Sequence, residues 1–367
     1  MTILNFLWGY STGGIGKCFL TYARLGEVEP DLKVISVCVI TAGHNWDLKS
    51  LYDQNIQVIK VKNKFDFLWM KKIKTIYDNN DIDFFFCHGH NGPVMLSLFS
   101  IRYGLKTPLI CTSHGFNPKP SLLSKFYFIL AASVLRNKRV KKIICVEKFT
   151  PDVLVQRGVK RKKIVTVYNG IEPFIYTSKL DLSQYCNKDY PIIITASRLT
   201  KIKGIDYLLK SLAFVKNQGY NFHYFCIGDG EELNALKDLC AKLELDEDVS
   251  FMGYQNNIPD WLATCDIFAL PSLEEFHSIA ILEAMRAKKA IVATLVGGNP
   301  ESLRDEQDAL MVPSCNSESL ANALIRLISS VELRESLSVS AYNRFKELFT
   351  INAMMNNLAH EIITTSK

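Results

Sequence analysis

Two glutamates eight residues apart carry the clearest chemistry in this sequence. They are Glu275 and Glu283, in the stretch Pro271-Ser272-Leu273-Glu274-Glu275-Phe276-His277-Ser278-Ile279 and IAILEAM. A strand is expected to end near Leu270 and a helix to begin near His277. A fully helical interval of that length rises at most about 12 Å, roughly the span from the hexose to the ribose of a sugar nucleotide. The helix N-terminus would accept a diphosphate, and a carboxylate at each end would accept hydroxyl hydrogen bonds. An exposed pair on a surface helix fits Glu283 poorly, because apolar residues surround it. Arg198 and Lys203, in Ser197-Arg198-Leu199-Thr200-Lys201-Ile202-Lys203-Gly204, are flexible cations after another expected strand. A guanidinium fork beside an ammonium suits a leaving diphosphate; a solvated basic turn is the plainer alternative.

Two histidines also stand where strands enter loops. His88 follows the strand FFFC, and His114 follows PLICTS. Of the two, His114 is the stronger candidate. A metal site from Cys87, His88 and His90 is disfavoured, because adjacent strand residues point to opposite faces. Asp81-Ile82-Asp83 resembles a metal-holding D-x-D pattern, but it precedes its strand and reads as a solvated turn. Glycine-rich turns follow the first strand (Gly9, Gly13, Gly14, Gly16) and the strand Phe222–Ile227 (Gly228, Gly230). Glycine there lets backbone approach a phosphate or sugar. The dinucleotide pattern G-x-G-x-x-G is not met, since Phe19 stands at its third glycine.

These residues need elements to place them. Short β-branched or aromatic runs predict strands at Thr2–Trp8, Lys33–Ile40, Ile56–Val61, Asp83–Cys87, Pro108–Thr112, Lys142–Val146 and Ile164–Val167. Helical spacing lies between them, as in Leu68–Tyr77 and Val94–Tyr103. Residues 172–190 break the rhythm and read as a linker. Strands are then expected at Ile192–Ala196, Phe222–Ile227, Val249–Met252, Ile267–Leu270, Ala290–Ala293 and Ala309–Val312. Helices are expected at Ile205–Lys216, Glu231–Leu243, Ser278–Ala287, Ser317–Ser329 and Leu333–Phe345. Repeated βαβ order implies parallel sheets covered on both faces. The chain therefore reads as two doubly wound α/β domains, whose ligands bind beyond the carboxyl ends of the strands, in the cleft between them.

At 367 residues, 48% of them apolar and 22% charged, the chain is an ordinary globular protein of about two domains. Ten cysteines without a C-x-x-C pair argue against a disulfide scaffold, a zinc ribbon or a thioredoxin-type site. At least half of them lie in apolar runs, as buried thiols in a reducing cytoplasm would. The opening MTILNFLWGYSTGG lacks a basic n-region, so no secretory signal is expected there. No stretch approaches the ~20 apolar residues of a spanning helix. The net charge of +6 divides into +13 over residues 1–175 and −7 over 176–367. A basic half suits an anionic membrane, a phosphorylated acceptor or nucleic acid.

Taken in order, these motifs resemble those of the retaining glycosyltransferases of family 4, which have the two-domain GT-B fold. The resemblance covers nearly the whole chain. It runs through Gly13-Gly14-Ile15-Gly16, Ser113-His114-Gly115, Tyr168-Asn169-Gly170-Ile171, Arg198 with Lys203, and Gly228-Asp229-Gly230. It continues through Pro271-Ser272, the pair Glu275/Glu283, and Gly297-Gly298-Asn299-Pro300-Glu301. The resemblance implies two Rossmann-like domains facing across a cleft. The first would span 1–175, joined by a C-terminal helix at about 350–367. The second, binding the nucleotide sugar, would span 190–349.

The resemblance also implies roles. His114, Arg198, Lys203 and Glu275 would form the catalytic set. Arg198 and Lys203 would neutralise the diphosphate, Glu275 would bind sugar hydroxyls, and His114 would sit beside the sugar. Glu283 would bind the ribose. Gly13, Gly14, Gly16, His88, Asn169, Gly228 and Gly230 would line the donor site, and Phe276, His277, Ser278 and Ile279 would complete it, their amides helping to hold the phosphates. The family's usual Gly-Phe-Gly after the first glutamate is Phe276-His277-Ser278 here, which bears on the sugar accepted. Neither metal nor cofactor is implied, the nucleotide-diphosphate sugar being a substrate.

The expected activity is hexosyl transfer with retention, from a UDP-linked donor to a glycan or lipid-linked glycan, in cell-surface polysaccharide synthesis. Lys125 to Lys142 sets an apolar run beside six cations, and Arg161, Lys162 and Lys163 add more. That suggests a cytoplasmic protein resting on the anionic inner face of the plasma membrane. Two other classes compete. A nicotinamide oxidoreductase would share the tandem α/β domains but lacks its glycine fingerprint. A nucleic-acid binder would use the basic half but not the acidic one.

Overall fold

The computed structural model describes residues 1–10, 14–42, 48–63, 66–89, 91–114, 122–173, 177–187 and 189–366. The chain forms two compact units, residues 1–169 with 351–367, and residues 170–350. Each is a Rossmann-like α/β domain built on one parallel sheet.

The first sheet contains β1 (Thr2–Trp8), β2 (Lys33–Thr41), β3 (Gln57–Val61), β4 (Phe84–His88), β5 (Leu109–Ser113), β6 (Val140–Cys145) and β7 (Ile164–Thr166). Its spatial order is β3-β2-β1-β4-β5-β6-β7. The second contains β8 (Ile192–Ala196), β9 (His223–Ile227), β10 (Val249–Gly253), β11 (Ile267–Leu270), β12 (Ala290–Thr294) and β13 (Leu310–Val312). Its order is β10-β9-β8-β11-β12-β13. Both orders reverse beside the unit's first strand, between β1 and β4 and between β8 and β11. In open α/β sheets that reversal is where ligands bind.

The strands read as unbroken apolar runs because both faces of each sheet are covered. In β4, Phe85 and Cys87 join one core cluster with Leu4 and Phe6, while Phe84 and Phe86 join another with Ile3. Side chains alternate faces along a strand, so a strand buried on both faces shows no polar alternation.

The helix Ile351–Ser366 covers part of the second face. Its Ile351, Met354, Met355, Leu358, Ala359 and Ile362 form one helical stripe, packed with Ile3, Phe86, Ile110 and Ile144. Lys142 and Glu361 tie it to β6 by an ion pair of 2.6 Å. The segment expected to be a linker belongs instead to the second unit. Ser178 N donates to Asp260 Oδ1 at 2.9 Å, Leu180 N donates to Thr264 Oγ1 at 2.8 Å, and Leu182 is buried.

Candidate functional site

In the second unit, the loops leaving β8 and β11 are neighbours at the sheet reversal and are stitched together. Leu273 N donates to Ile202 O at 2.7 Å. Lys203 ends a short 3-10 turn, Lys201–Lys203, and its Nζ lies 2.5 Å from Glu275 Oε1. Ser272 Oγ donates to the same oxygen at 2.8 Å. The two charged side chains are only 16% and 10% exposed. The loop after β12 supports Glu275 from behind. Thr294 Oγ1 donates to Ser272 O at 2.6 Å. Gly297, at φ +50, lies so close that a Cβ there would fall 1.6 Å from Glu275 O. Only glycine fits that approach.

Arg198 is exposed between Ser197 and Leu199, and among the described residues it makes no ion pair. Its neighbour Leu199 is fully buried, donates from N to Asp229 O at 2.8 Å and accepts at O from Glu232 N at 3.0 Å. The guanidinium thus projects from a loop whose backbone is held. Gly228 and Gly230, expected at the ligand, pack closely on that loop. A Cβ on Gly228 would lie 1.8 Å from Ser197 O, and one on Gly230 would lie 2.3 Å from Leu199 O. Their close approach is to protein backbone.

The helix after β11 begins at Ile279, two residues later than expected, and runs to Arg286. Ser278 is its N-cap, without a side-chain cap bond. Phe276, Ile279 and Glu283 are half-buried. Arg286 beside Glu283 and Glu172 has its pKa lowered by burial, with the two carboxylates opposing that shift. His277 departs from the expected donor-lining role for its side chain. It is buried, its ring sits 5.3 Å from the Phe349 ring, and desolvation pulls its pKa down to about 3. It is a neutral core aromatic.

In the first unit, Gly14 opens the helix Gly14–Ala23 directly after β1, and Gly16 is buried inside it. Gly13 lies outside the described residues, as do His90 and the Gly115 that follows His114. His88 differs from the expectation. It is 2% exposed, its Nε2 lies 2.5 Å from Asn5 Oδ1, and its Nδ1 lies 2.9 Å from Thr112 Oγ1. With both nitrogens engaged inside the sheet, it has none to offer a donor. Thr112 Oγ1 in turn lies 3.2 Å from Nε2 of the half-buried His114. Asn169 is likewise turned inward, accepting from Cys18 Sγ at 3.3 Å. Cys87 Sγ lies 3.4 Å from Cys111 Sγ, away from His88, and Asp83 caps Thr2 N at 2.7 Å. Among the described residues no group of three or more His, Cys, Asp or Glu could hold a metal ion.

The basic segment is partly structural. Lys142 is paired with Glu361. Arg139 donates to Ser100 Oγ and Thr107 O, each at 2.8 Å. Lys106, Lys138, Arg139 and Lys141 line a depression at the amino-terminal ends of β5 and β6, the opposite end of β5 from His114. On the neighbouring helices Asn91–Tyr103 and Leu122–Arg136, Leu98, Ile101, Ile129 and Leu130 are exposed. Among the described residues no helix is long and apolar enough to cross a membrane.

Sequence reasoning passed over Asn5, Ser36 and Thr112. Their signal was visible: single polar residues inside strands otherwise buried on both faces, where an unpaired polar group is costly.

Residues 183–344 match the family model described as glycosyl transferases group 1, and residues 35–173 match that of glycosyltransferase family 4. Together the two span most of the chain. An uncharacterized glycosyltransferase, MJ1607 of Methanocaldococcus jannaschii, is 27% identical over 241 residues, covering 63% of this chain and 58% of that protein. The amylovoran biosynthesis glycosyltransferase AmsK of Erwinia amylovora is 31% identical over 183 residues, covering 47% of this chain and 44% of that one. The match thus spans less than two thirds of either relative's length. The solved structure of Anabaena Alr3699/HepE in complex with UDP superposes with a TM-score of 0.85 at 20% identity, covering 99% of this chain and all of that one. At that identity the likeness concerns the fold.

Proposed function

Because the chain belongs to the family 4 glycosyl transferases of group 1, we propose that it is a retaining hexosyltransferase. It moves a hexose from a nucleotide-diphosphate sugar onto a glycan or lipid-linked glycan in cell-surface polysaccharide synthesis. The observation that carries this reading is the convergence of Lys203, Ser272 and Glu275 at the β8/β11 reversal, with Arg198 on the same loop as Lys203. UDP is the proposed nucleotide, as in the HepE structure.

In this reading the donor diphosphate takes the Lys203 ammonium, which frees Glu275 Oε1 to accept a sugar hydroxyl. Glu283 accepts from the ribose, and the amides at the start of the helix Ile279–Arg286 meet the phosphates. The family pattern assigns Gly14 to the acceptor side and His114 to the sugar. The acceptor hydroxyl oxygen bonds to the anomeric carbon on the face the diphosphate leaves. The anomeric C–O bond to phosphate breaks, and the acceptor's proton passes to a phosphate oxygen. Arg198 and Lys203 meet the charge growing on that leaving group, so this reading calls on neither a metal nor a cofactor.

A thermal-shift panel of UDP, GDP, ADP, NAD and their sugar conjugates tests it, with Glu283→Ala beside the parent. A ligand that binds only the native state raises the midpoint by mass action. The expected result is a shift with one sugar nucleotide, weakened in Glu283→Ala. Silence across the sugar nucleotides with a clear NAD shift would overturn the reading. Retention is read from the anomeric configuration of the product by NMR.

Peripheral contact with the anionic inner face of the plasma membrane is part of the proposal. Exposed Ile129 and Leu130 on the helix that ends at Arg136, with exposed Lys138 and Lys141 following in the chain, support it. Flotation with phosphatidylglycerol vesicles but not phosphatidylcholine vesicles, lost in Lys138→Glu/Lys141→Glu, is the expected outcome. Equal behaviour with both lipids removes the idea.

A further inference from the structure

A line of hydrogen bonds runs from the middle of the first sheet to His114, and each link dictates the proton position of the next. Asn5, in β1, donates from Nδ2 to Ser36 Oγ at 2.9 Å and to Phe19 O at 3.4 Å. A carbonyl only accepts, so Phe19 fixes which way the amide points. Asn5 Oδ1 therefore faces His88 Nε2 at 2.5 Å. An amide oxygen also only accepts, so Nε2 carries the proton. Burial holds the His88 pKa well below the ordinary value. The ring is thus neutral and its Nδ1 is bare. Nδ1 accepts from the Thr112 hydroxyl at 2.9 Å. That hydroxyl has one proton, so toward His114 Nε2, at 3.2 Å, its oxygen accepts.

The sheet builds this line by register. His88 pairs directly with Thr112 across β4 and β5, and Asn5 pairs with Ser36 across β1 and β2. Asn5 also pairs with Phe86, which puts His88 on the same face as Asn5, two residues along β4. Thr112 and His114 are two residues apart, so strand periodicity continues the line to the loop. The rings of Phe19, Tyr22 and Phe86 lie 5.6, 5.3 and 4.7 Å from that of His88 and surround the middle link with apolar surface.

We propose that Asn5, His88 and Thr112 form a buried relay that fixes His114 in its Nε2–H tautomer and fixes its ring orientation. His88 and Thr112 are then positioning residues for the transfer reaction. This role rests on the reading that His114 stands beside the donor sugar; the tautomer itself does not. A ring held in one tautomer and one orientation meets its partner without reorganising.

The experiment is long-range 1H–15N NMR on the full chain with 15N-labelled histidine, His114 being assigned by its loss in His114→Gln. The expected spectrum shows His114 protonated at Nε2 and unprotonated at Nδ1. Thr112→Val, nearly isosteric but without the hydroxyl, mixes the tautomers, and Thr112→Ser restores the original one. A parent His114 protonated at Nδ1, or averaging between tautomers, overturns the relay with no variant required. So does a Thr112→Val spectrum identical to the parent's.

Donor turnover adds the functional arm. Thr112→Val lowers kcat about 10- to 100-fold with donor KM nearly unchanged, and Thr112→Ser recovers it. An unchanged kcat in Thr112→Val overturns the positioning role. A parent chain with no transferase turnover would refute the functional reading, while the tautomer measurement still decides the relay.

Discussion

Lys203 Nζ and Glu275 Oε1 stand 2.5 Å apart, joining the loops that leave two adjacent strands. The residues expected to hold a diphosphate and a sugar hydroxyl are thus partners of each other before either meets a substrate. A mostly buried charge left without its partner is costly, so each keeps the other in place.

Lys203→Ala leaves the Glu275 carboxylate with Ser272 alone. It is expected to destabilise the second unit by about 1–3 kcal/mol and to lower turnover at least about a hundredfold. A cycle with Glu275→Gln, followed by calorimetry, should return a coupling of about 0.5–3 kcal/mol. Strict additivity would mean that the pair contributes nothing.

Arg198→Ala should behave in the opposite way. The side chain is exposed and makes no ion pair among the described residues. Stability should therefore stay within about 0.5 kcal/mol, while turnover falls about a hundredfold or more. A loss of stability matching the loss of activity would assign Arg198 to the scaffold.

Gly297→Ala tests the support behind Glu275. Its Cβ would meet the Glu275 carbonyl at 1.6 Å, at a φ of +50. The loops must part, which should cost about 3 kcal/mol or more and weaken donor binding in titration calorimetry. A variant with the parent's midpoint and affinity would show that this contact is dispensable.

The buried His277 predicts a pH dependence with a definite sign. Its pKa falls from 6.5 to about 3 on folding, through desolvation. Below pH 6.5 the unfolded chain takes up a proton that the folded one refuses. The contribution is therefore complete above 6.5 and is lost as the pH falls toward 3. The slope approaches about 1.4 kcal/mol per pH unit over that window. His277→Phe should keep the packing on Phe349 and flatten the second unit's melting-temperature profile between pH 6 and 4. An unchanged profile would mean that His277 titrates normally.

Much of the fold was legible because its signals are local. Runs such as FFFC and IIITA announce strands by composition, and the stripe from Ile351 to Ile362 announces a helix by spacing. Strand ends then marked the loops carrying Arg198, Lys203, Glu275 and His114, since ligands of such sheets bind beyond those ends. The contacts of His88, Asn169, Gly228, Gly230 and His277 were not legible. A histidine after a strand looks the same in sequence whether its ring turns to solvent or to the core. A glycine looks the same whether the backbone it approaches is a phosphate's neighbour or Ser197.

By itself, then, the sequence determined two parallel α/β sheets, the loops that carry the candidate residues, and the residue types available there. Periodicity and composition act over a few residues, and those features need nothing longer. The tertiary structure decided which side chains meet. Glu275 reaches Lys203 across 72 residues, and His88 reaches Asn5 across 83. Those meetings depend on strand order and register, which bring distant segments within hydrogen-bonding distance and which no local pattern encodes.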